Sequence, residues 1–191
     1  LHGVPVAIKD LTQRKAGVRH TLGLAPLSEN VASTDSVTVE RLEAAGAVIL
    51  GTTNTPALGH TIKTDSRLQG ATPTPFDRAR SAGGSSGGSA AALAGGLTTR
   101  ATGSDIGGSL RVPASCCHVT SLKPTFGQVP ADDGGVDRFS NHTPFLVLGP
   151  LARTVEDVAL AYDVLAGPDD RDPFSVPASD PIRDHLDQPP E

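Results

Sequence analysis

The chain has 191 residues, with 21 acidic and 16 basic side chains, a formal net charge of −5 at pH 7 and a pI near 5.6. No run of lysine or arginine forms a basic stripe, which argues against direct binding of nucleic acid or an anionic membrane surface. No apolar run approaches the roughly 20 residues of a spanning helix, and the length fits one domain or part of one.

The first predicted element is a strand over the apolar run Val4 to Ile8, which is rich in β-branched residues and is followed by Lys9 and Asp10. The next segment, Leu11 to Val31, has mixed polarity and several glycines and is expected to be a long loop.

A helix is expected next, with Asp35 as its N-cap, the sequence SVTVERLEAA as its body and Gly46 at its C′ position. The run AVILG from Ala47 then predicts a buried strand. A strand, a helix and a strand in this order predict a parallel βαβ unit, so the expected fold class is α/β.

After Asn54, prolines make the chain loop-like through Asp77. A stretch of glycine and serine follows, from Ser81 to Ser109, in which SAAALA predicts a helix and Thr98 to Thr102 a strand. GSDIGG is expected to be a tight turn that leads into a short helix from Ser109. Both serine clusters therefore lie near helix starts, where free N–H groups stabilise developing negative charge.

A serine becomes a nucleophile only when a base takes its proton. The pentapeptide GSSGG fits the GxSxG elbow pattern with Ser86 as nucleophile, but this is a weak pattern and no histidine stands in a setting that marks it as the base. A phosphate-binding loop is disfavoured because no lysine is followed by serine or threonine there. The six histidines are His2, His20, His60, His118, His142 and His185.

The last predicted helix begins at Thr154, which resembles a capping box with Asp157, and ends at Gly167 and Pro168. We expect this helix to serve packing. The remainder, 168–191, is dominated by proline and aspartate and is expected to be a linker or surface loop after a core of residues 1–167.

Six blocks of the sequence, in order, resemble the amidase signature family and cover the chain from Gly3 to about Asp172. They are GVPVAIKD from Gly3, AGAVILGTTN from Ala45, GGSSGGSAAALAGG from Gly83, ATGSDIGGSLRVPA from Ala101, SLKPTFG from Ser121 and GPLARTVED from Gly149. The resemblance implies a mixed, largely parallel sheet flanked by helices. The family is longer than this chain, so it also implies an incomplete fold that lacks its C-terminal half.

The resemblance implies a Ser, cis-Ser, Lys triad in which Lys9 is a neutral base, Ser85 a relay and Ser109 the nucleophile. It also implies an oxyanion hole made by the N–H groups of Ile106, Gly107, Gly108 and Ser109. A lysine desolvated at a strand end can act as a base near neutral pH, which fits this role.

The implied reaction is hydrolysis of a carbon–nitrogen amide bond through an acyl-enzyme on Ser109, with a small amide as substrate and no cofactor or metal. Two alternatives stay open: the catalytic subunit of a tRNA-dependent amidotransferase, and an inactive remnant. The sequence does not decide whether copies of the chain form a homo-oligomer. Two adjacent cysteines, Cys116 and Cys117, give neither a disulfide framework nor a zinc-site spacing even with His118, which favours a cytoplasmic setting.

Four residues near these motifs carry separate expectations. Ser86 is expected to support the triad by hydrogen bonding, and Arg111 is left unassigned because an ion pair with Asp105 competes with a substrate contact. His118 and Ser121 stand where the family usually has glycine, so a positive φ at either position would be strained.

Overall fold

The structure is a computed structural model and describes residues 1–132 and 145–187. Within these ranges the strands are β1 (Pro5–Lys9), β2 (Val48–Thr53), β3 (Asp65–Ser66), β4 (Gly70–Ala71), β5 (Pro73–Thr74), β6 (Asp77–Ser81), β7 (Arg100–Asp105), β8 (Thr120–Ser121) and β9 (Val147–Ala152). The α-helices are α1 (Val37–Ala44), α2 (Gly87–Ala94), α3 (Arg111–Cys117) and α4 (Val155–Leu165). No described helix is of a length and apolarity to cross a bilayer.

The central sheet has five strands within the described residues, in the order β2-β1-β7-β9-β8. Strand β1 pairs in parallel with both β2 and β7, and β9 is antiparallel to β7 and β8. Four strands therefore run in one direction and one in the other. The prediction of a mixed, largely parallel sheet with a parallel β1–β2 unit is confirmed.

Side chains alternate across β1 and divide the core into two layers. Val6 and Ile8 face α1 and α4, where they join a cluster that includes Leu42, Tyr162 and Leu165. On the other face lies a second cluster built largely from small side chains of the sheet and of α2 and α3: Ala7, Ala82, Ala90, Leu93, Ala101, Leu110, Cys117 and Leu151. Because these side chains are small, α2 packs close to β1 and β7.

Strand β2 corrects one expectation. The AVILG run predicted a buried strand, but β2 lies at the edge of the sheet, where Val48 is 51% exposed and Leu50 is 55% exposed. Only Ile49 of these three packs against the α1 and α4 layer. An apolar run does not distinguish a central strand from an edge strand, because that depends on which strands pair with it.

The start of α1 is also displaced from the prediction. The N-cap position is Ser36, whereas the carboxylate of Asp35 accepts from the backbone N–H of Ala16 at 2.6 Å and from Lys15 at 3.1 Å. The predicted helix end is confirmed: Gly46 has φ +84°, and its N–H donates to the carbonyl of Glu43.

Strand positions in the middle of the chain differ most from expectation. The segment expected to be a loop through Asp77 contains the short strands β3 to β5, and β6 follows directly. Strand β7 begins and ends later than the predicted Thr98 to Thr102, and β9 was not predicted. The Gly149–Pro150 pair inside β9 hides the strand pattern, since both residues are typical of turns.

Helix α4 begins as predicted, with Thr154 Oγ1 accepting from the N–H of Asp157 at 3.1 Å. The carboxylate of Asp157 does not complete the capping box but pairs with Arg100 on β7. Residues 168–187 then lie against the domain: Val176 donates to the Gly127 carbonyl at 3.0 Å, and Phe174 packs on Phe126. Residues 188–191 lie outside the described residues.

The topology places one end of three adjacent strands at the same edge of the sheet. Lys9, Thr53 and Asp105 are the last residues of the parallel strands β1, β2 and β7. In sheets of this kind, the carboxyl ends of the strands form the ligand-binding edge.

Candidate active site

Lys9 is buried at the end of β1, with no exposed surface. Its backbone N–H donates to Thr102 Oγ1 at 3.3 Å, and its Nζ donates to Ser85 Oγ at 2.7 Å and to Ser104 Oγ at 2.9 Å. Burial lowers the pKa of Lys9 to about 7, although the Asp105 carboxylate acts in the opposite sense. At neutral pH a substantial fraction of this amine is therefore uncharged and able to accept a proton.

Ser85 lies in the glycine loop between β6 and α2, and only 2% of it is exposed. The Gly84–Ser85 peptide bond is cis. Glycine is required at position 84 because a Cβ there would come within 2.8 Å of Lys63 N and 2.9 Å of Thr61 O. The loop carrying Ser85 is thus packed directly on the 61–63 backbone, which fixes Ser85 against Lys9.

Ser109 lies between β7 and α3 and is partly exposed. Its carbonyl accepts from the N–H of Ser86 at 3.2 Å, which joins the two serine loops. Both hydroxyls belong to described residues, and no hydrogen bond joins Ser109 Oγ to Ser85 Oγ. The structure therefore brings Lys9 and Ser85 into direct contact and places Ser109 beside them through its backbone.

Asp105 holds the backbone on both sides of Ser109. Its carboxylate accepts from the N–H of Gly108 at 2.8 Å and of Leu110 at 3.0 Å, and it forms an ion pair with Arg111 at 2.9 Å. Burial acts to raise the pKa of Asp105, but the hydrogen bonds from Arg111, Leu110 and Gly108 outweigh it and lower the pKa to about 2. The carboxylate is ionised at neutral pH, and Arg111 makes the ion pair that competed with a substrate contact.

The turn from Ile106 to Ser109 carries four backbone N–H groups. Ile106 and Gly107 are exposed, and neither their N–H groups nor that of Ser109 has an acceptor among the described residues. The N–H of Gly108 differs, since Asp105 already accepts from it. Three of the four N–H groups expected in an oxyanion hole therefore have no protein acceptor within the described ranges.

Ser104 and Asp105 were not predicted as members of the site. The signal for Ser104 is the period of β7: Thr102 and Ser104 lie two residues apart on one face, and both bond to Lys9. This signal needs the pairing of β1 with β7, which the sequence alone does not show.

Ser86, the nucleophile of the elbow alternative, is fully buried. Its Oγ donates to the backbone carbonyl of Ser104 and accepts from the N–H of Ser104, each at 3.4 Å, and it forms no hydrogen bond with a histidine among the described residues. His142 lies outside the described residues. The geometry favours the supporting role expected for Ser86.

The two residues at usual glycine positions behave differently. His118 is exposed and closes α3 with φ +53°, the left-handed conformation that favours glycine. Ser121 does not have a positive φ, and its Oγ donates to the Leu110 carbonyl at 3.3 Å.

Of the two neighbouring cysteines, Cys117 is buried and donates to the Ala82 carbonyl, whereas Cys116 is exposed.

A lysine and a serine are buried in contact at the carboxyl edge of a mixed sheet, and a second serine lies beside them in a glycine turn. The protein is therefore of the α/β class, with a candidate site built from one lysine and two serines. The chain belongs to the amidase signature family, since the family model described as Amidase matches residues 1–189.

Individual relatives agree with this assignment. The chain is 46% identical to an acylamidase of Rhodococcus erythropolis over 92% of its own length and 36% of the relative. It is 43% identical to an indoleacetamide hydrolase of Bradyrhizobium diazoefficiens, over 93% of the chain and 34% of that protein. A glutamyl-tRNA(Gln) amidotransferase component of Koribacter versatilis is also 43% identical, over 95% of the chain and 37% of that protein.

The comparison with solved structures gives the same result. The structure of a 6-aminohexanoate cyclic dimer hydrolase superposes with a TM-score of 0.89 at 38% identity, over 99% of this chain and 40% of the other. The chain spans little more than a third of the length of the curated relatives described above.

Proposed function

We propose that this chain carries the catalytic residues of an amidase, which hydrolyses the carbon–nitrogen bond of a carboxamide. The observation that carries the proposal is the contact between the fully buried Lys9 amine and Ser85 Oγ, 2.7 Å apart. A buried amine with a pKa near 7 is suited to proton transfer, and its partner hydroxyl lies beside the loop of a second, more accessible serine.

In the proposed reaction, neutral Lys9 takes the proton of Ser85, and Ser85 takes the proton of Ser109. Ser109 Oγ then attacks the amide carbon, and the N–H groups of Ile106, Gly107 and Ser109 stabilise the oxyanion. The proton held by Lys9 returns through Ser85 to the leaving nitrogen, which departs as ammonia or an amine. Water then hydrolyses the acyl-enzyme and restores Ser109.

The proposed substrates are small, linear carboxamides, and the similarity to an acylamidase supports this class. Cyclic amides are the competing class of substrate, because the chain is also similar in structure to a cyclic dimer hydrolase. Comparing the hydrolysis of an open-chain anilide such as p-nitroacetanilide with that of a cyclic diamide separates the two substrate classes.

We place the reaction in the cytoplasm because both cysteines are free thiols. We also propose that residues 1–167 form the catalytic core and that 168–191 form a surface segment, of which the described part, 168–187, lies against this core.

A second candidate is the catalytic subunit of a tRNA-dependent amidotransferase, which the 43% identity to an amidotransferase component supports. Such a protein would act within a complex and pass ammonia to a partner. Glutaminase activity that depends on charged tRNA, together with co-purification of partner proteins, would favour this candidate over a free amidase.

The first test is labelling with a fluorophosphonate probe, with the modified residue mapped by peptide mass. We expect the label on Ser109, lost in Lys9→Ala and retained in Ser89→Ala. The hydroxyl of Ser89 is also buried, but it bonds to Thr102 and Thr53 rather than to Lys9. A label on Ser86 that survives Lys9→Ala would overturn the triad. No label on the folded chain would favour an inactive remnant.

A further inference from the structure

Lys9 has two hydroxyl partners, and the reaction proposed above uses only one of them. Ser85 Oγ lies 2.7 Å from Lys9 Nζ, and Ser104 Oγ lies 2.9 Å from the same nitrogen. Ser104 is 2% exposed and lies one residue before the end of β7. It is therefore a buried polar group in contact with the base and without a role in the reaction.

The number of lone pairs and N–H bonds on a neutral amine indicates what Ser104 can do for Lys9. A neutral primary amine carries one lone pair and two N–H bonds, so it can accept from only one hydroxyl at a time. To receive the Ser85 proton, the lone pair of Lys9 must point at Ser85 Oγ. An N–H of the same amine then points at Ser104 Oγ, which acts as its acceptor.

We propose that Ser104 is a positioning residue for the base: its hydroxyl accepts a hydrogen bond from Lys9 Nζ, which aims the lone pair at Ser85 and stabilises the ammonium formed when Lys9 takes the proton. This inference rests on the proposed function, because it assigns a second partner to the base of that reaction.

The backbone of Ser104 is held in place from the opposite loop. Ser86 Oγ donates to the Ser104 carbonyl and accepts from its N–H, each at 3.4 Å, and Ser86 is bonded covalently to Ser85. The contacts close a ring that runs from Lys9 to Ser85, through Ser86 to Ser104 and back to Lys9. The distance between the two hydroxyls that flank the amine is thereby set by the fold.

The charged surroundings of Lys9 do not supply an alternative acceptor at hydrogen-bond distance. Asp105 acts on Lys9 through its charge, but its oxygens accept from Gly108, Leu110 and Arg111. Asp10, the next residue after Lys9, is held by Thr21. Among the described side chains, Ser104 is thus the one that can accept an N–H of the neutral amine while the lone pair faces Ser85.

The test measures the protonation of Lys9 directly, in a chain labelled with ¹³C at the lysine Cε and titrated by NMR, with Lys9→Arg used for assignment. In Ser104→Ala the ammonium loses an acceptor, so we expect the Lys9 midpoint to fall by about one pH unit, the effect of one hydrogen bond to a charged group. Ser104→Thr keeps the hydroxyl and should retain the wild-type midpoint. Ser89 is a buried serine whose hydroxyl donates to the Thr102 carbonyl on β7 rather than to Lys9, so Ser89→Ala should leave the midpoint unchanged.

The same variants are then labelled with the fluorophosphonate probe across pH. We expect Ser104→Ala to react with the probe at least ~10-fold more slowly on the alkaline plateau and to show its acid limb at lower pH, while Ser104→Thr recovers both. If Ser104 had only a structural role, Ser104→Ala would lower the labelling rate without shifting the acid limb of its pH profile. An unmoved Lys9 midpoint in folded Ser104→Ala overturns the inference. Absence of any label on wild-type Ser109, with the midpoint shifted as expected, overturns the proposed function and leaves the Lys9 contact established.

Discussion

At the scale of single residues, Lys9 links chemistry to stability. Its ammonium form is solvated in the unfolded chain and desolvated in the folded one, so burial lowers the pKa in the folded state from 10.5 to about 7. Between these two values the unfolded chain binds a proton that the folded chain lacks. The contribution of Lys9 to the free energy of unfolding therefore rises with pH through this interval and is least favourable below pH 7.

Replacing this lysine by an uncharged side chain of similar length should stabilise the protein while abolishing proton transfer. The lowered pKa of Lys9 corresponds to a cost of about 5 kcal/mol, and the loss of its hydrogen bonds to Ser85 and Ser104 in Lys9→Met offsets part of the gain. We therefore expect Lys9→Met to raise the free energy of unfolding by about 3 kcal/mol near pH 7, with the gain shrinking as pH approaches 10. Urea unfolding at several pH values measures this gain. Lys63→Met, at an exposed lysine, is the control, and a gain for Lys9→Met that does not depend on pH would contradict the prediction.

Asp105 is the second residue whose removal has a defined consequence. The N–H of Gly108 donates to Oδ1 of Asp105 and the N–H of Leu110 donates to Oδ2, so in Asp105→Asn the amide NH₂ group that replaces one oxygen faces one of these two donors and breaks that hydrogen bond. The turn carrying Ser109 should then shift, and labelling of Ser109 by the probe should slow about 100-fold, as when an oxyanion donor is lost. Arg111→Ala leaves the backbone bonds to Asp105 in place, so it should slow labelling by less than about 10-fold. Equal loss in the two variants would show that the ion pair, rather than the backbone bonds, is decisive.

At the scale of elements, the sequence predicted the features that depend on neighbouring residues, such as helix ends. The Thr154 cap and the Gly46 helix end are encoded within a few residues, and both were found as expected. The exposure of β2 and the existence of β9 depend on pairing between distant segments, which no local pattern reports. The N-cap prediction for Asp35 was wrong because its carboxylate bonds to the distant Ala16 rather than to α1.

The same contrast holds for the site. Lys9, Ser85 and Ser109 were predicted because they stand in motifs, and the structure places the first two in contact. The contact of Ser104 with Lys9 joins positions 95 residues apart and follows only from the pairing of β1 with β7.

Helix α4 gives a prediction at this scale. Thr154→Ala removes the acceptor for the N–H of Asp157, so the free energy of unfolding should fall by about 1 kcal/mol. Thr154→Ser keeps the acceptor and should change it by much less. Thermal unfolding of both variants measures the effect, and labelling of Ser109 should be unchanged because α4 packs on the face of the sheet away from α2.

At the scale of the whole molecule, two arginines hold the 168–187 segment. Arg41 of α1 donates to the carbonyls of Leu165 at 2.6 Å, Gly167 at 3.1 Å and Pro168 at 2.7 Å, which satisfies the end of α4. Arg171 pairs with Glu40 on α1 at 2.6 Å. A segment with a composition typical of disorder is thus ordered by contacts to helices far away in the chain.

Removing the Arg41 contacts should release this segment. We expect Arg41→Ala to increase the rate of chymotryptic cleavage after Phe174 about 10-fold, because cleavage requires local opening of the backbone. Arg19→Ala, which breaks an exposed ion pair with Glu29, is the control and should leave this rate unchanged. A rate that does not rise in Arg41→Ala would show that the remaining contacts, which include the Arg171–Glu40 ion pair and the packing of Phe174 on Phe126, suffice to hold the segment.

The buried lysine also has a consequence for how this protein would respond to selection. A library screened only for resistance to heat would enrich apolar replacements at position 9, since they remove the desolvated amine. Under the proposed mechanism, the enriched variants would be stable but would lack the base that activates Ser109. Position 9 is therefore a place where laboratory evolution for robustness and evolution for turnover diverge, and a screen on this scaffold must score both properties in the same round.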